Sequence, residues 1–334
     1  MKLIIQIPCL NEESTLPITI RDIPRKINGV DKVELLIIDD GSTDRTVEVA
    51  KKLGIDHIVK LSKNKGLAEA FKAGIDASLK LGADIIVNTD ADNQYKGSDI
   101  PKLISPILNG DYDMIVGDRK TDSIPHFSRI KKFFQKFGSS VVRKLSQTEV
   151  PDTTSGFRAY SRDAALRLNI VSEFTYTLET IIQAGHKKLA VGHVEIGTNG
   201  KLRESRLFKG ITNYMRRSAK TIVRIYTMYR PMKVFVLSGF ISVFIGLLIG
   251  LRFLYFYLSG TGNGHIQSLI LAAVLLIVGF QLGIMGLIAD LISNNRKLIE
   301  ETLYRVKKIE LYHPVVMDNN YESTAFLKES EKKY

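Results

Sequence analysis

The chain has 334 residues, 45% hydrophobic and 25% charged, with a net charge of +12, one cysteine and no tryptophan. This composition excludes a disordered tail and a fibrous repeat, and the lone Cys9 excludes a disulfide framework or a four-cysteine metal site. The length accommodates two or three units of about 100–200 residues each.

The opening run MKLIIQIPCLNEE is interrupted by Gln6 and Pro8. It is too broken for a signal peptide, so a cytoplasmic domain is expected from residue 1. KLIIQIP, VELLIID, HIVKL, ADIIVNTD and DMIVG are short apolar runs rich in β-branched residues, the pattern of buried parallel strands. Cys9 ends the first run, where a buried, inert thiol is expected. Helices are expected after Asn11–Glu13, after GSTD and through GLAEAFKAGIDASLKLG, with Ser42, Thr43 and Asp44 as N-cap types for the second.

Strands alternating with helices predict an open α/β sheet over residues 1–200. Such sheets bind ligands beyond the carboxyl ends of their strands. The polar clusters fall there: Asn11-Glu12-Glu13, Asp39-Asp40 and Asp90-Ala91-Asp92. No P-loop is present, and no G-x-G-x-x-G follows the first strand. Asp90-x-Asp92 at a strand end is able to hold a hard divalent cation on a diphosphate. Taken alone, it reads first as an acidic turn closed by an Asx hydrogen bond.

The positive charge is concentrated further on. From Lys201 to Lys233 there are ten Lys/Arg against one acid, Glu204. A basic chain first suggests nucleic acid, but this block directly precedes an apolar stretch, which points to an anionic membrane surface. LFKGITNYMRRSAKTIVRIYTMY mixes apolar residues with Arg216, Arg217, Lys220 and Arg224, as in an interfacial helix or helix pair.

Two uncharged spans follow, Val234–Leu251 and Ile266–Ala289; about 20 apolar residues suffice to cross ~30 Å of hydrocarbon. The SGTGNGH connector carries no Lys or Arg, whereas Arg230, Lys233, Arg296 and Lys297 flank the outer ends. The positive-inside rule therefore places both termini in the cytoplasm. The alternative is a buried helical hairpin of a soluble protein. Beyond Ile309 the sequence is polar and mixed in charge, and a weakly ordered terminus is expected there.

IPCLNEE, IDDGSTD, NKGLAEAFKAG, TDADNQY and DTTSGFRAYSR, in that order, resemble the family 2 glycosyltransferases of GT-A fold. More closely, they resemble the polyprenyl-phosphate branch typified by dolichyl-phosphate mannose synthase and bacterial glucosyl-undecaprenyl-phosphate synthases. The likeness covers roughly residues 1–230, and the two-helix anchor is similar to that of the bacterial branch. It implies a GT-A (Rossmann-like) nucleotide-sugar-binding domain over 1–206, interfacial amphipathic helices over 207–231, a transmembrane hairpin over 232–292 and a cytoplasmic tail over 293–334.

The resemblance also implies residue roles. Pro8, Asn11 and Glu12 line the base and ribose pocket, and Asp40 reads the base. Asp90 contacts the nucleotide, and Asp90, Asp92 and Gln94 form the site for Mg²⁺ or Mn²⁺. Arg119 and Arg129 receive the acceptor phosphate, with Lys131 or Lys132 as alternatives to Arg129. Arg203 and Arg206 close over the donor. Relatives often carry an aromatic residue where this chain has Leu10, which leaves stacking on the base open.

The implied reaction is an inverting, single-displacement transfer of a hexose to a membrane polyprenyl phosphate, undecaprenyl or dolichyl. UDP-glucose is the first donor expected and GDP-mannose the second, in the service of glycan assembly. A phosphate monoester, with a second pKa of ~6, is already charged near neutral pH and needs no general base. None of the six histidines falls in a motif. Asp152 is the candidate base, or else it caps a helix or shapes the acceptor site. A lipid such as diacylglycerol is the alternative acceptor. The expected partners are the donor, the lipid and the bilayer, with no nucleic acid and with possible homo-oligomers. A processive polysaccharide synthase is disfavoured, because its Q-x-x-R-W segment requires a tryptophan.

Overall fold

The computed structural model describes residues 1–120, 139–143, 145–171, 176–200, 211–260 and 262–312. It divides into two compact units, Met1–Ile222 with Leu303–Tyr334, and Val223–Thr302.

In the first unit the five expected strands form as β1 (Lys2–Cys9), β2 (Lys32–Asp39), β3 (His57–Lys60), β4 (Ile85–Asn88) and β5 (Met114–Asp118). They are joined by β6 (Arg158–Ser161) and β7 (Val191–Glu195). The strand order is β3-β2-β1-β4-β6-β5-β7. β1 pairs in parallel with β2 and β4, with Cys9 opposite Asp39 and Gln6 opposite Asn88. The carboxyl ends of these strands therefore open on one edge. The order also reverses at β1, between β2 and β4, which is where open sheets make their ligand crevice. β6 alone runs antiparallel, inserted between β4 and β5.

Helices α1 (Leu16–Asp22), α2 (Thr46–Lys52), α3 (Leu67–Lys80), α4 (Ile100–Leu108), α5 (Arg162–Arg167) and α6 (Tyr176–His186) belong to this unit. α3 buries Ala68, Phe71, Ile75 and Leu79, a stripe at helical spacing. Leu3, Ile5, Ile7, Leu35, Ile37, Val87 and Leu103 meet in the core, all at most 1% exposed. Each such side chain contributes about 1.5–3 kcal/mol on burial. Cys9 is buried as expected, and burial pushes its thiol pKa well up. α2 begins later than its N-cap signals imply: Arg45 occupies the cap position, and Asp44 Oδ1 accepts the Thr46 amide at 2.9 Å.

Three further helices follow: α7 (Ile211–Tyr229), α8 (Pro231–Leu258) and α9 (Ile266–Tyr312). α8 and α9 are long and apolar enough to cross a membrane, with mean hydropathies of 2.6 and 2.5 in their most apolar windows. Their large side chains face outward; Leu237, Phe240, Leu251, Phe280 and Leu291 are all more than 60% exposed. A buried hairpin of a soluble protein would hide these groups. Ser242 Oγ donates to the Leu275 carbonyl at 2.8 Å across the hairpin. α9 runs on to Tyr312, so a helix occupies the first part of the segment set apart above as a tail. Its last turns return to the first unit, where the Tyr304 hydroxyl donates to Asp163 at 2.6 Å.

Candidate active site

The loops at the carboxyl edge are tied together by their own polar side chains. Asn11 adopts a left-handed conformation (φ 55°), which asparagine tolerates well. Its Oδ1 accepts the Thr43 amide at 2.7 Å, and its backbone amide donates to Ser42 Oγ at 2.9 Å. Glu12 is 3% exposed; its amide donates to Thr46 Oγ1 at 2.8 Å and its carboxylate accepts from Thr15 Oγ1. The β1 exit is thereby fastened to the β2 exit, and Pro8 is buried inside β1.

Asp40 is 4% exposed and receives two backbone amides, Lys65 on Oδ1 at 2.7 Å and Gly66 on Oδ2 at 2.9 Å. Burial raises its pKa despite these donors. The residue-63–66 loop thus lies directly against the β2 exit. A Cβ at Gly41 (φ +74°) would stand 2.6 Å from the Asn64 nitrogen, so only glycine fits.

Asp92 and Gln94 sit at the β4 exit, where Asp92 Oδ1 accepts the Gln94 amide at 3.1 Å. Between them Asn93 is left-handed, at φ 54°. Asp90 turns toward the DTTSG loop: a Cβ placed on Gly156 would lie 3.1 and 3.2 Å from its two carboxylate oxygens. Among the described residues no three His, Cys, Asp or Glu side chains gather as a metal cage. The oxygen-only set Asp90, Asp92 and Gln94 fits a cation such as Mg²⁺ or Mn²⁺, which takes its remaining ligands from water and substrate phosphates.

On the far side, Arg119 meets Asp152 in a two-point ion pair, Nε to Oδ2 at 2.7 Å and Nη2 to Oδ1 at 3.1 Å. Nη2 also reaches Thr154 Oγ1 at 3.0 Å. The Arg119 side chain is 9% exposed and that of Asp152 1%. Burial would raise the Asp152 pKa, but Arg119 and Thr154 override it and hold the carboxyl below its ordinary value. Both Asp152 carboxylate oxygens are thus engaged, Oδ2 by Arg119 and Oδ1 by Arg119 and Thr154. Of the three roles expected for it, general base, helix cap or shaper of the acceptor site, a base would have to give up this ion pair.

Several residues to which the sequence reading gave no role join the two halves. Tyr95, 4% exposed, accepts the Gly156 amide on its hydroxyl at 2.9 Å and lies 5.9 Å from the Arg119 guanidinium. Burial pushes its phenol up to about 12. Asn88 donates to the Gly156 carbonyl at 2.9 Å and to the Tyr176 hydroxyl at 2.8 Å. Arg158, fully buried, donates to the carbonyls of Ser155 at 2.7 Å and Thr153 at 2.9 Å, which pins the loop that carries Asp152. Tyr95, Gly156 and Arg158 fall inside the TDADNQY and DTTSGFRAYSR motifs; Tyr176 lies in no motif and carries no local signal. Arg129, Arg203 and Arg206, with Lys131 and Lys132, lie outside the described residues.

A largely parallel sheet with one antiparallel insertion, its carboxyl edge lined by carboxylates and a buried arginine, is the architecture of the GT-A fold. The glycosyl transferase family 2 signature matches residues 4–168, and the chain belongs to that family. It is 30% identical over 216 residues to the UDP-N-acetylglucosamine–dolichyl-phosphate N-acetylglucosaminyltransferase of Methanococcus voltae, a match covering 58% of this chain and 83% of that protein. It is 26% identical over 222 residues to the undecaprenyl-phosphate mannosyltransferase of Micrococcus luteus, covering 63% and 89%. Among solved structures, glucosyl-3-phosphoglycerate synthase from Mycobacterium tuberculosis, crystallised with Mn²⁺, UDP and glucosyl-3-phosphoglycerate, superposes with a TM-score of 0.52 at 20% identity. That match covers 68% of this chain and 78% of the synthase and marks a shared fold.

Proposed function

We propose that the protein moves a hexose from a nucleoside diphosphate sugar to a polyprenyl phosphate at the cytoplasmic face of a membrane, with inversion. The observation that carries this reading is the Arg119–Asp152 pair. A hydroxyl acceptor requires a general base, and the carboxylate in the DTTSG loop is committed to an arginine. A phosphate monoester brings its own charge. Arg119 donates from Nε and Nη2 to Asp152 and Thr154, and among the described residues Nη1 has no such partner and is the atom to meet an anionic ligand. Arginine suits such a ligand through its planar, multi-donor fork.

In this reading Pro8, Asn11, Glu12 and Asp40 form the nucleoside pocket, and Asp90 faces the diphosphate. Asp90, Asp92 and Gln94 would hold a divalent cation, which would supply positive charge against the leaving diphosphate. Arg129 joins Arg119 at the acceptor phosphate, and Arg203 and Arg206 serve the donor. α8 and α9 would anchor the chain in the bilayer that holds the lipid acceptor, and the exposed Arg216, Lys220 and Arg224 of α7 suit anionic headgroups. Relatives named for dolichyl and undecaprenyl phosphates support the acceptor. Their names span different sugars; UDP-glucose is the first donor to test and GDP-mannose the second.

The acceptor is tested with a matched pair of lipids, a polyprenyl phosphate and the corresponding free polyprenol, with diacylglycerol as a third arm. The purified full-length protein should label only the phosphate. Equal labelling of polyprenol or diacylglycerol would refute a phosphate nucleophile.

A further inference from the structure

Asn199, in the turn after β7, grips the loop that carries Asp92 and Gln94. Its backbone amide donates to the Gln94 carbonyl at 2.9 Å. Its side-chain Nδ2 donates to the carbonyls of Asn93 at 3.1 Å and Tyr95 at 3.4 Å. One residue thus holds three consecutive carbonyls, those of residues 93, 94 and 95. The neighbouring contacts repeat the pattern. Thr198 forms an antiparallel bridge with Tyr95, and the Gly197 amide donates to Asp99 Oδ2 at 2.7 Å. Asp22 Oδ2 accepts the Gly97 amide at 2.6 Å and lies 3.5 Å from Asn199 Nδ2.

The consequence is geometric. Asn93 is held in a left-handed conformation, one that asparagine tolerates and that turns the chain sharply between Asp92 and Gln94. Fixing the carbonyls on both sides of Gln94 sets the peptide planes there, and with them the separation of the Asp92 and Gln94 side chains. We propose that Asn199 is a positioning residue for the cation–diphosphate loop, acting on metal affinity without touching the metal. This rests on the assignment of Asp92 and Gln94 to a divalent cation made above. Outer-shell partners of this kind typically change metal affinity by about 10–100-fold.

The test is a titration of the full-length protein with Mn²⁺, read by electron paramagnetic resonance, with UDP and separately with GDP present. Asn199→Ala should weaken Mn²⁺ binding by about 10-fold or more. Asn199→Asp, which exchanges the Nδ2 donor for a carboxylate, should weaken it at least as much. In parallel the apparent activation constant for Mn²⁺ should rise, while kcat at saturating Mn²⁺ recovers most of its value. Unchanged Mn²⁺ affinity in folded variants would overturn the proposal. Failure of the wild-type protein to bind Mn²⁺ with either nucleotide would instead remove the cation assignment, and the proposal with it. Should both variants unfold, hydrogen exchange on the wild type decides. Adding Mn²⁺ and nucleotide should protect residues 92–97 and 197–200 together, and protection confined to the first segment would overturn the coupling.

Discussion

Arg119 and Asp152 are joined by hydrogen bonds of 2.7 and 3.1 Å between side chains that are 9% and 1% exposed. In such a pair the carboxylate fixes the guanidinium, and neither charge is well tolerated alone. Asp152→Asn should therefore impair transfer, by about 10- to 1,000-fold, without abolishing it. It should also lower stability by about 3–5 kcal/mol, because Arg119 loses its counter-charge. Steady-state kinetics with a polyprenyl phosphate, alongside a thermal melt, checks both. Complete loss of turnover in a folded variant would restore Asp152 as the base.

Gly156 brings the DTTSG loop up against Asp90. A methyl group there would stand 2.9 Å from the Tyr176 hydroxyl and 3.1 Å from Asp90 Oδ1. Gly156→Ala should shift Asp90 and cost about 1–3 kcal/mol of stability, with a loss of kcat/KM larger than the loss of stability explains. Melting temperature and kcat/KM measured together test this; normal kinetics would show that Asp90 needs no such approach.

The opposite edge of the sheet predicts an acid transition. Glu34, 4% exposed, is ringed by Lys2 at 2.7 Å, Lys32 at 2.5 Å and His57 at 2.8 Å. Burial alone would raise its pKa; hydrogen bonds from Lys2, Lys32 and His57, with the charge of Lys2, lower it to about 2 from an ordinary 4.5. Because the folded pKa is the lower one, the stabilisation is complete above about pH 4.5 and is lost as pH falls toward about 2. Glu34→Gln should remove part of the acid dependence in that window, of order 2 kcal/mol. Denaturant midpoints at successive pH values provide the readout, and parallel curves for the two proteins would contradict it.

The sequence exposed the parts of the fold that are periodic. β1 to β5 are continuous apolar runs, and α3 carries a full helical stripe, so both announce themselves. β6 does not. RAYS is four residues with an arginine at its head, and Arg158 is buried only because carbonyls from residues 153, 155 and 177 surround it. Asp90, Asp92 and Asp152 stand in motifs, and Arg119 was named only through the family resemblance. The pairing of Arg119 with Asp152 was not legible, because it depends on a loop 33 residues beyond Arg119 folding back onto it. Asn199 was invisible for the same reason: its role lies in carbonyls more than 100 residues away. The final turns of α9 were missed because their partners, Asp163 for Tyr304 and Asp76 for Lys307, lie in a distant part of the chain.

The central claim, cation-assisted transfer to a lipid phosphate, is tested most directly by a panel of radiolabelled nucleotide sugars. Each is incubated with the purified protein, a polyprenyl phosphate and Mn²⁺ or Mg²⁺, with and without EDTA, and with Asp92→Ala in place of the wild type. Label should pass from one donor, UDP-glucose first in order, into the lipid fraction, and it should vanish with EDTA and with Asp92→Ala. Transfer that survives both EDTA and the substitution, or nucleotide binding with no transfer from any donor, would contradict the account.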